Sequence, residues 1–351
     1  MIPPDFEVKV VNSIDAVGET AWNDLSMNQP FQSYRWYAFG EKVMTETGCR
    51  PTYIILGLDG KPVARGTFWL VPNEPLPIHG ITKTILESIL RSRPLFTCRS
   101  PLSGLSGLIL PDPPLQKSAL QTISRVAAEQ AHMQHASFIV FDYMSREFYK
   151  DNDWPESAVG TIVGDPGTQM KIRWPDFDGY LQDLSTKSRK NYRRYDREAE
   201  ECHLTIHRSF EPARLDEAGP LLQNVYNRYH ESPNPWSMLM LKYFPMVGGT
   251  LLTVEAEGKL VGCELILGDC GSKFTTALGL DYNIKDLYFL LNYADIQCAI
   301  EDGTKILHWG SGAYDVKNKL GFELEYNNFA VFLGIGKTFD YLGRLAARWV
   351  D

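Results

Sequence analysis

The chain has 351 residues, 44% of them hydrophobic and 22% charged, with a formal net charge of −8. This length exceeds one ordinary domain, and the composition fits a folded, soluble protein rather than a disordered or fibrous one. The acidic balance argues against nonspecific nucleic-acid binding over the whole surface, so any contact with a polyanion has to be local. No apolar run is long enough to span a bilayer: the richest, "LYFLLNYADIQCAI", is broken by Asn292 and Asp295. The start, "MIPPDFEVKV", lacks the pattern of a secretory leader. The six cysteines are scattered without a C-x-x-C pair and read as reduced thiols. Both features predict a cytoplasmic protein.

Along the chain, "FEVKVVNS" (6–13) predicts a strand, and helices are expected over 14–25 and 34–47. "TYIILGLDGKPVARGTFWLV" (52–71) predicts a hairpin turning at Asp59-Gly60. A segment rich in Pro, Leu and Arg follows, about 73–98, and then a long amphipathic helix feeds a strand over 115–144. A helix pair is expected over 174–202, with Ser185 as N-cap of the second and Tyr192, Tyr195 and Ala199 as its apolar stripe. The order then repeats. "HLTIHRSF" (203–210) is a strand, 212–230 and 236–246 are helices, and 249–268 is a hairpin turning at Glu257-Gly258. A helix and strand then fill 286–310. The two hairpins are offset by 198 residues, so the chain contains an internal duplication. The expected fold class is α+β (mixed α/β), with two tandem domains, each a central sheet flanked by helices. The boundaries are placed at 1–175, 176–202 for a basic helical connector, and 203–351 for the domain carrying the active site.

Four stretches carry a family resemblance: "PFQSYRWYAF" (30–39), "YLQDLSTKSRKNYRR" (180–194), "ALGLDYNIKDLYFLLNYADIQCAIEDG" (277–303) and "HWGSGAYDVKNKLGFEL" (308–324). With the duplication, they make the chain resemble the tandem-GNAT, Fem-like branch of the N-acyltransferases. The resemblance implies two GNAT-like halves and direct transfer of an acyl or aminoacyl group to an amine. The donor it implies is acyl-CoA, with aminoacyl-tRNA as the alternative; the acceptor is a small-molecule or peptide-like amine. A non-catalytic binding protein on a duplicated GNAT fold is the rival class. The sequence departs from ordinary GNAT enzymes before the long helix. "GLDYNIKDLY" stands there in place of the pyrophosphate loop Arg/Gln-x-x-Gly-x-Gly/Ala.

Amine attack on a thioester or ester needs a proton acceptor and a stabiliser for the developing oxyanion. The resemblance places Lys317, in Lys317-x-x-x-Gly321 after a Gly-rich turn, in the second role. His308 and Asp315 bracket that turn at a strand's carboxyl end and are the candidate bases, with Asp281 as a further one. Asp281 and Tyr282 precede the long helix; they either position substrate or form the helix's first turn. Tyr288, on that turn, is a candidate to face the site. Six basic residues fall between Thr186 and Arg197. Lys187, Lys190 and Arg194 form one helical stripe, extended by Arg197, with Arg189 and Arg193 beside it. Lys187, Arg189, Lys190, Arg193 and Arg194, with Tyr282, are the candidate cofactor-binding residues, gripping a phosphate of donor or acceptor; a solvated helix face is the alternative. His132-x-x-His135 and His203-x-x-x-His207 lack companion ligands, so no metal is expected.

Overall fold

The computed structural model describes residues 5–72, 74, 88–229 and 232–347. The chain divides into two compact units, one comprising Met1–Asp165 with Tyr326–Asp351 and the other Pro166–Glu325. Much of the Pro-, Leu- and Arg-rich segment lies outside the described residues.

In the first unit the sheet is built from β1 (Glu7–Val11), β2 (Arg50–Leu58), β3 (Lys61–Val71), β4 (Leu95–Cys98), β5 (Leu108–Ile109), β6 (Phe138–Met144) and β7 (Val159–Ile162). In the second it uses β8 (Thr168–Lys171), β9 (Leu204–Ser209), β10 (Thr250–Ala256), β11 (Lys259–Asp269), β12 (Ser272–Leu280), β13 (Ile306–Trp309) and β14 (Glu323–Leu324). A last strand, β15 (Phe329–Gly334), returns to the first sheet. The strand orders are β1-β2-β3-β4-β6-β15-β7, with β5 paired to β3, and β14-β8-β13-β12-β11-β10-β9. Read from opposite ends, the two orders have one topology. In each the only parallel neighbours among the described residues are the pair β4/β6 or β12/β13, joined by a long helix, Leu115–Met133 or Leu287–Glu301.

The duplicated hairpins match in detail. Asp59 and Gly60 both have positive φ, as do Glu257 and Gly258, the left-handed pair that a two-residue hairpin turn requires. Each hairpin also carries a register shift at the same place, between Leu56 and Gly57 and between Val254 and Glu255.

The sequence boundaries at 175/176 and 202/203 differ from the observed division for a physical reason. Strand β8 precedes the expected boundary yet lies between β13 and β14, while β15 lies between β6 and β7. Each half of the sequence therefore gives one interior strand to the other half's sheet. Nor is the basic helix Thr186–Glu201 a free connector. It belongs to the second unit, where Tyr195 stacks on Phe289 with centroids 4.7 Å apart and Tyr192 packs on Tyr293. Tyr195 and Ala199 are buried in that face.

Candidate functional site

The long helix Leu287–Glu301 packs Leu287, Leu291, Ile296 and Ala299 into the second unit's cores. Into the same interior it turns a polar stripe, Tyr288, Asn292 and Asp295, at i, i+4 and i+7. Asn292 and Asp295 are buried, Asp295 completely. Opposite them stands Glu264, 3% exposed, in the middle of β11. Between the pairs Cys263–Gly279 and Leu265–Thr276, Glu264 of β11 faces two residues of β12, Ala277 and Leu278, and Ala277 has a positive φ, so β12 bulges opposite Glu264. Bulges re-aim side chains beside functional sites.

Lys317 completes the group. The Gly310-Ser311-Gly312-Ala313 turn leads into the helix Tyr314–Leu320, which ends on Gly321 at φ 100°, a conformation that favours glycine. Lys317 is 6% exposed, and its ammonium donates to the carbonyls of Gly310 (2.5 Å) and Ser311 (3.1 Å) at the end of β13. An ammonium has three N–H donors, so one remains. Asp295 Oδ2 accepts hydrogen bonds from Thr275 Oγ1 (2.6 Å) and Trp309 Nε1 (2.7 Å). Asp295 Oδ1 and Glu264 Oε2 are buried with no hydrogen-bond partner among the described residues.

Two carboxyls and one amine are thus buried within the second unit. Burial raises Glu264 well above the usual carboxylate range; the Asp295 charge adds to this and the Lys317 ammonium opposes it. Burial pushes Asp295 up to about 6 against the hydrogen bonds from Thr275 and Trp309. Burial also brings Lys317 down to about 8, against the pull of Glu264. Tyr288 is half-buried and raised, chiefly by burial, with the Glu264 charge adding to this and hydrogen bonding to Asn292 opposing it. Groups poised in this way can hold a proton or release it near neutral pH.

The structure brings together Lys317 and Tyr288 of the expected residues, and adds Glu264, Asn292 and Asp295. His308 does not join them. Its strand neighbours Leu307 and Trp309 face the core that Ile296 and Tyr293 enter, so His308 points to the other sheet face, where Nδ1 lies 2.7 Å from Glu325 Oε1. Asp315 is exposed on the first turn of its helix. Asp281 forms a turn: its Oδ1 accepts from the Asn283 backbone (3.0 Å) and side chain (2.8 Å). Tyr282 lies at the surface beneath the Arg228 guanidinium.

The basic helix divides its cations between two roles. Arg189 donates to the Gln182 and Leu184 carbonyls and so caps the preceding helix, Phe177–Asp183. Arg194 lies 3.5 Å from Glu198 and 3.4 Å from Asp286, and Arg197 is 3.8 Å from Glu201. Lys187, Lys190 and Arg193 are exposed and make no ion pair among the described residues. All six cysteines are free, and no metal-ligating group of three or more His, Cys, Asp or Glu occurs among the described residues.

The first unit lacks this acid–base group at the matching places. The hairpin offset puts Gly66 where Glu264 stands, and Ile123 and Asp295 are each the ninth residue of their long helix. A Cβ on Gly66 would lie 2.7 Å from Ile123 Cγ2, so that space is filled with hydrocarbon.

No family model matches the sequence, and no curated protein matches it. Solved structures do. The crystal structure of FemX aligns over 97% of this chain and 100% of its own, with a TM-score of 0.64 at 11% identity. A tandem GNAT protein from the clavulanic acid biosynthesis pathway, solved without AcCoA, aligns over 95% and 99% (TM-score 0.59, 10% identity). The C-terminal domain of a putative lysylphosphatidylglycerol synthetase from Agrobacterium fabrum aligns over 96% and 97% (0.53, 10%). The fold is the tandem GNAT, Fem-like one, with two mixed sheets flanked by helices.

Proposed function

We propose that the chain is an N-acyltransferase that moves an acyl group from acyl-CoA directly to an amine, with its chemistry in the second unit. The observation that carries this reading is the buried meeting of Glu264, Asp295 and Lys317 beside the parallel strands β12 and β13. In the proposed step the amine nitrogen attacks the thioester carbonyl and Glu264, ionised, takes its proton. The third N–H of Lys317 stabilises the oxyanion; the C–S bond then breaks and CoA leaves as the thiolate, to be protonated by solvent. Asp295 is the neighbouring charge that raises the proton affinity of Glu264 and so strengthens it as a base. The structural neighbours support this reading through their names, one of which refers to AcCoA.

A second donor, aminoacyl-tRNA, is favoured by one observation: Lys187, Lys190 and Arg193 form an exposed basic face, without ion pairs among the described residues, on a protein of net charge −8. Unfolding temperature and turnover, measured with acetyl-CoA, free CoA and charged or uncharged tRNA, separate the donors. Native-state ligands raise stability by about 2.7 kcal/mol at a hundredfold excess over Kd. A CoA-specific rise with thiol release on adding amines supports acyl-CoA. A rise that needs the aminoacyl end supports tRNA. No response to either overturns the transferase reading and leaves the binding-protein class.

A further inference from the structure

The inward polar stripe ends at Tyr288, and beyond it lies a set of exposed side chains that the transfer step leaves unused. Asn224 pins the helix Leu215–Tyr229 to the end of β12 by donating to the Leu280 carbonyl at 3.1 Å. One turn further along the same helix face, Arg228 lays its guanidinium 4.7 Å from the centroid of the Tyr282 ring. Tyr229 follows, 61% exposed, and Tyr282 is 39% exposed. Tyr229 is an electrostatic neighbour of both Tyr282 and Tyr288, and Tyr288 is one of Glu264. Tyr229 and Tyr282 are thus exposed neighbours, and Tyr288 continues as the outer end of the polar stripe that holds Asn292 and Asp295. Arg228 is exposed and has no carboxylate partner among the described residues.

We propose that Arg228, held by Tyr282, anchors a carboxylate of the acceptor, and that the acceptor is a primary amine bearing that carboxylate at the far end of a flexible chain. This inference rests on the transferase reading above and names its acceptor class. The guanidinium fork matches a carboxylate in two parallel hydrogen bonds, and stacking on Tyr282 fixes its plane. The rings of Tyr229 and Tyr288 attract the ammonium end and guide it towards Glu264. A diamine of the same length places its second cation against Arg228 and is rejected. A neutral alkylamine leaves the guanidinium unpaired and gains nothing from it.

The test compares 6-aminohexanoate, hexylamine and 1,6-diaminohexane on the full chain and on Arg228→Gln, first by calorimetry without donor and then by turnover with acetyl-CoA. The expected result is that 6-aminohexanoate binds the wild type about tenfold more tightly than hexylamine, and that Arg228→Gln brings the two within about twofold. Arg228→Lys, which keeps the charge without the fork, should recover part of the preference. Equal binding of 6-aminohexanoate and hexylamine, or a preference that survives Arg228→Gln, overturns the inference. So does binding of none of the three. The two readings fail separately. Turnover of all three amines without charge preference leaves transfer standing and removes the acceptor class. Charge-selective binding lost in Arg228→Gln, with no turnover from any donor, leaves the anchor standing and removes the transfer reading.

Discussion

At Glu264, burial and the Asp295 carboxylate hold a proton on; at Lys317, burial works to take one off. The proposed step needs Glu264 ionised and Lys317 charged. The rate should therefore rise with pH as Glu264 ionises and fall through about pH 8 as Lys317 loses its charge. Glu264→Gln and Lys317→Met should each lower kcat by about 10²–10³-fold and remove the corresponding limb of a pH–rate profile; a variant that keeps both limbs assigns the titration elsewhere. Asp295 makes a prediction about stability instead. Its carboxyl is pushed up to about 6, so the folded state binds this proton more tightly than the unfolded chain. Its favourable contribution is complete below about pH 4 and is lost as pH rises through about 6. Asp295→Asn, which removes a buried charge with an unpaired oxygen, should gain about 1–3 kcal/mol in urea unfolding at pH 7.5. That gain should shrink towards pH 5 while activity falls; a pH-independent difference would show that the carboxyl is not the cause. Lys317 was reached through the family resemblance, carried by Lys317-Asn318-Lys319-Leu320-Gly321 after the Gly-rich turn. Glu264 was not, because a lone acid in an apolar strand is an ordinary pattern until a bulge and a facing helix give it neighbours. The spacing of Tyr288, Asn292 and Asp295 was present in the sequence, but there it read only as polar breaks in an apolar run.

At the scale of elements, the hairpins, the long helices and the basic helix with its Ser185 cap follow the sequence pattern, since each depends on contacts a few residues away. His308 shows where such reasoning stops: strand alternation puts it on one face and the helix that brings Asp295 on the other. Helix Leu215–Tyr229, which carries Arg228, depends on one close approach. A Cβ on Gly279 of β12 would lie 2.8 Å from Cys263 Sγ, 2.9 Å from Leu221 Cβ and 3.0 Å from Leu222 N. Gly279→Ala therefore has to push the helix away or strain it, at about 1–3 kcal/mol. Thermal unfolding should show the loss. Hydrogen exchange should place the loosening in 215–229 ahead of the basic helix; protection lost equally in both would contradict this packing account.

For the molecule as a whole, what the sequence hid was the exchange of β8 and β15, short strands whose pairings span more than a hundred residues with no local signal. A fragment cut at the apparent repeat, 203–351, carries the catalytic candidates but lacks β8, an interior strand. A fragment spanning 166–325 keeps its sheet intact. Cooperative urea unfolding should be seen for 166–325 and not for 203–351, and the reverse would mean that the exchange is dispensable. The same exchange sets a timetable for the nascent chain. Translation delivers the N-terminal residues first, yet the first sheet has a gap between β6 and β7 until residues 329–334 emerge. The second sheet has all its strands once residue 324 is made. The half synthesised first is thus the half completed last, and until then it leaves open strand edges that are hazards for mispairing.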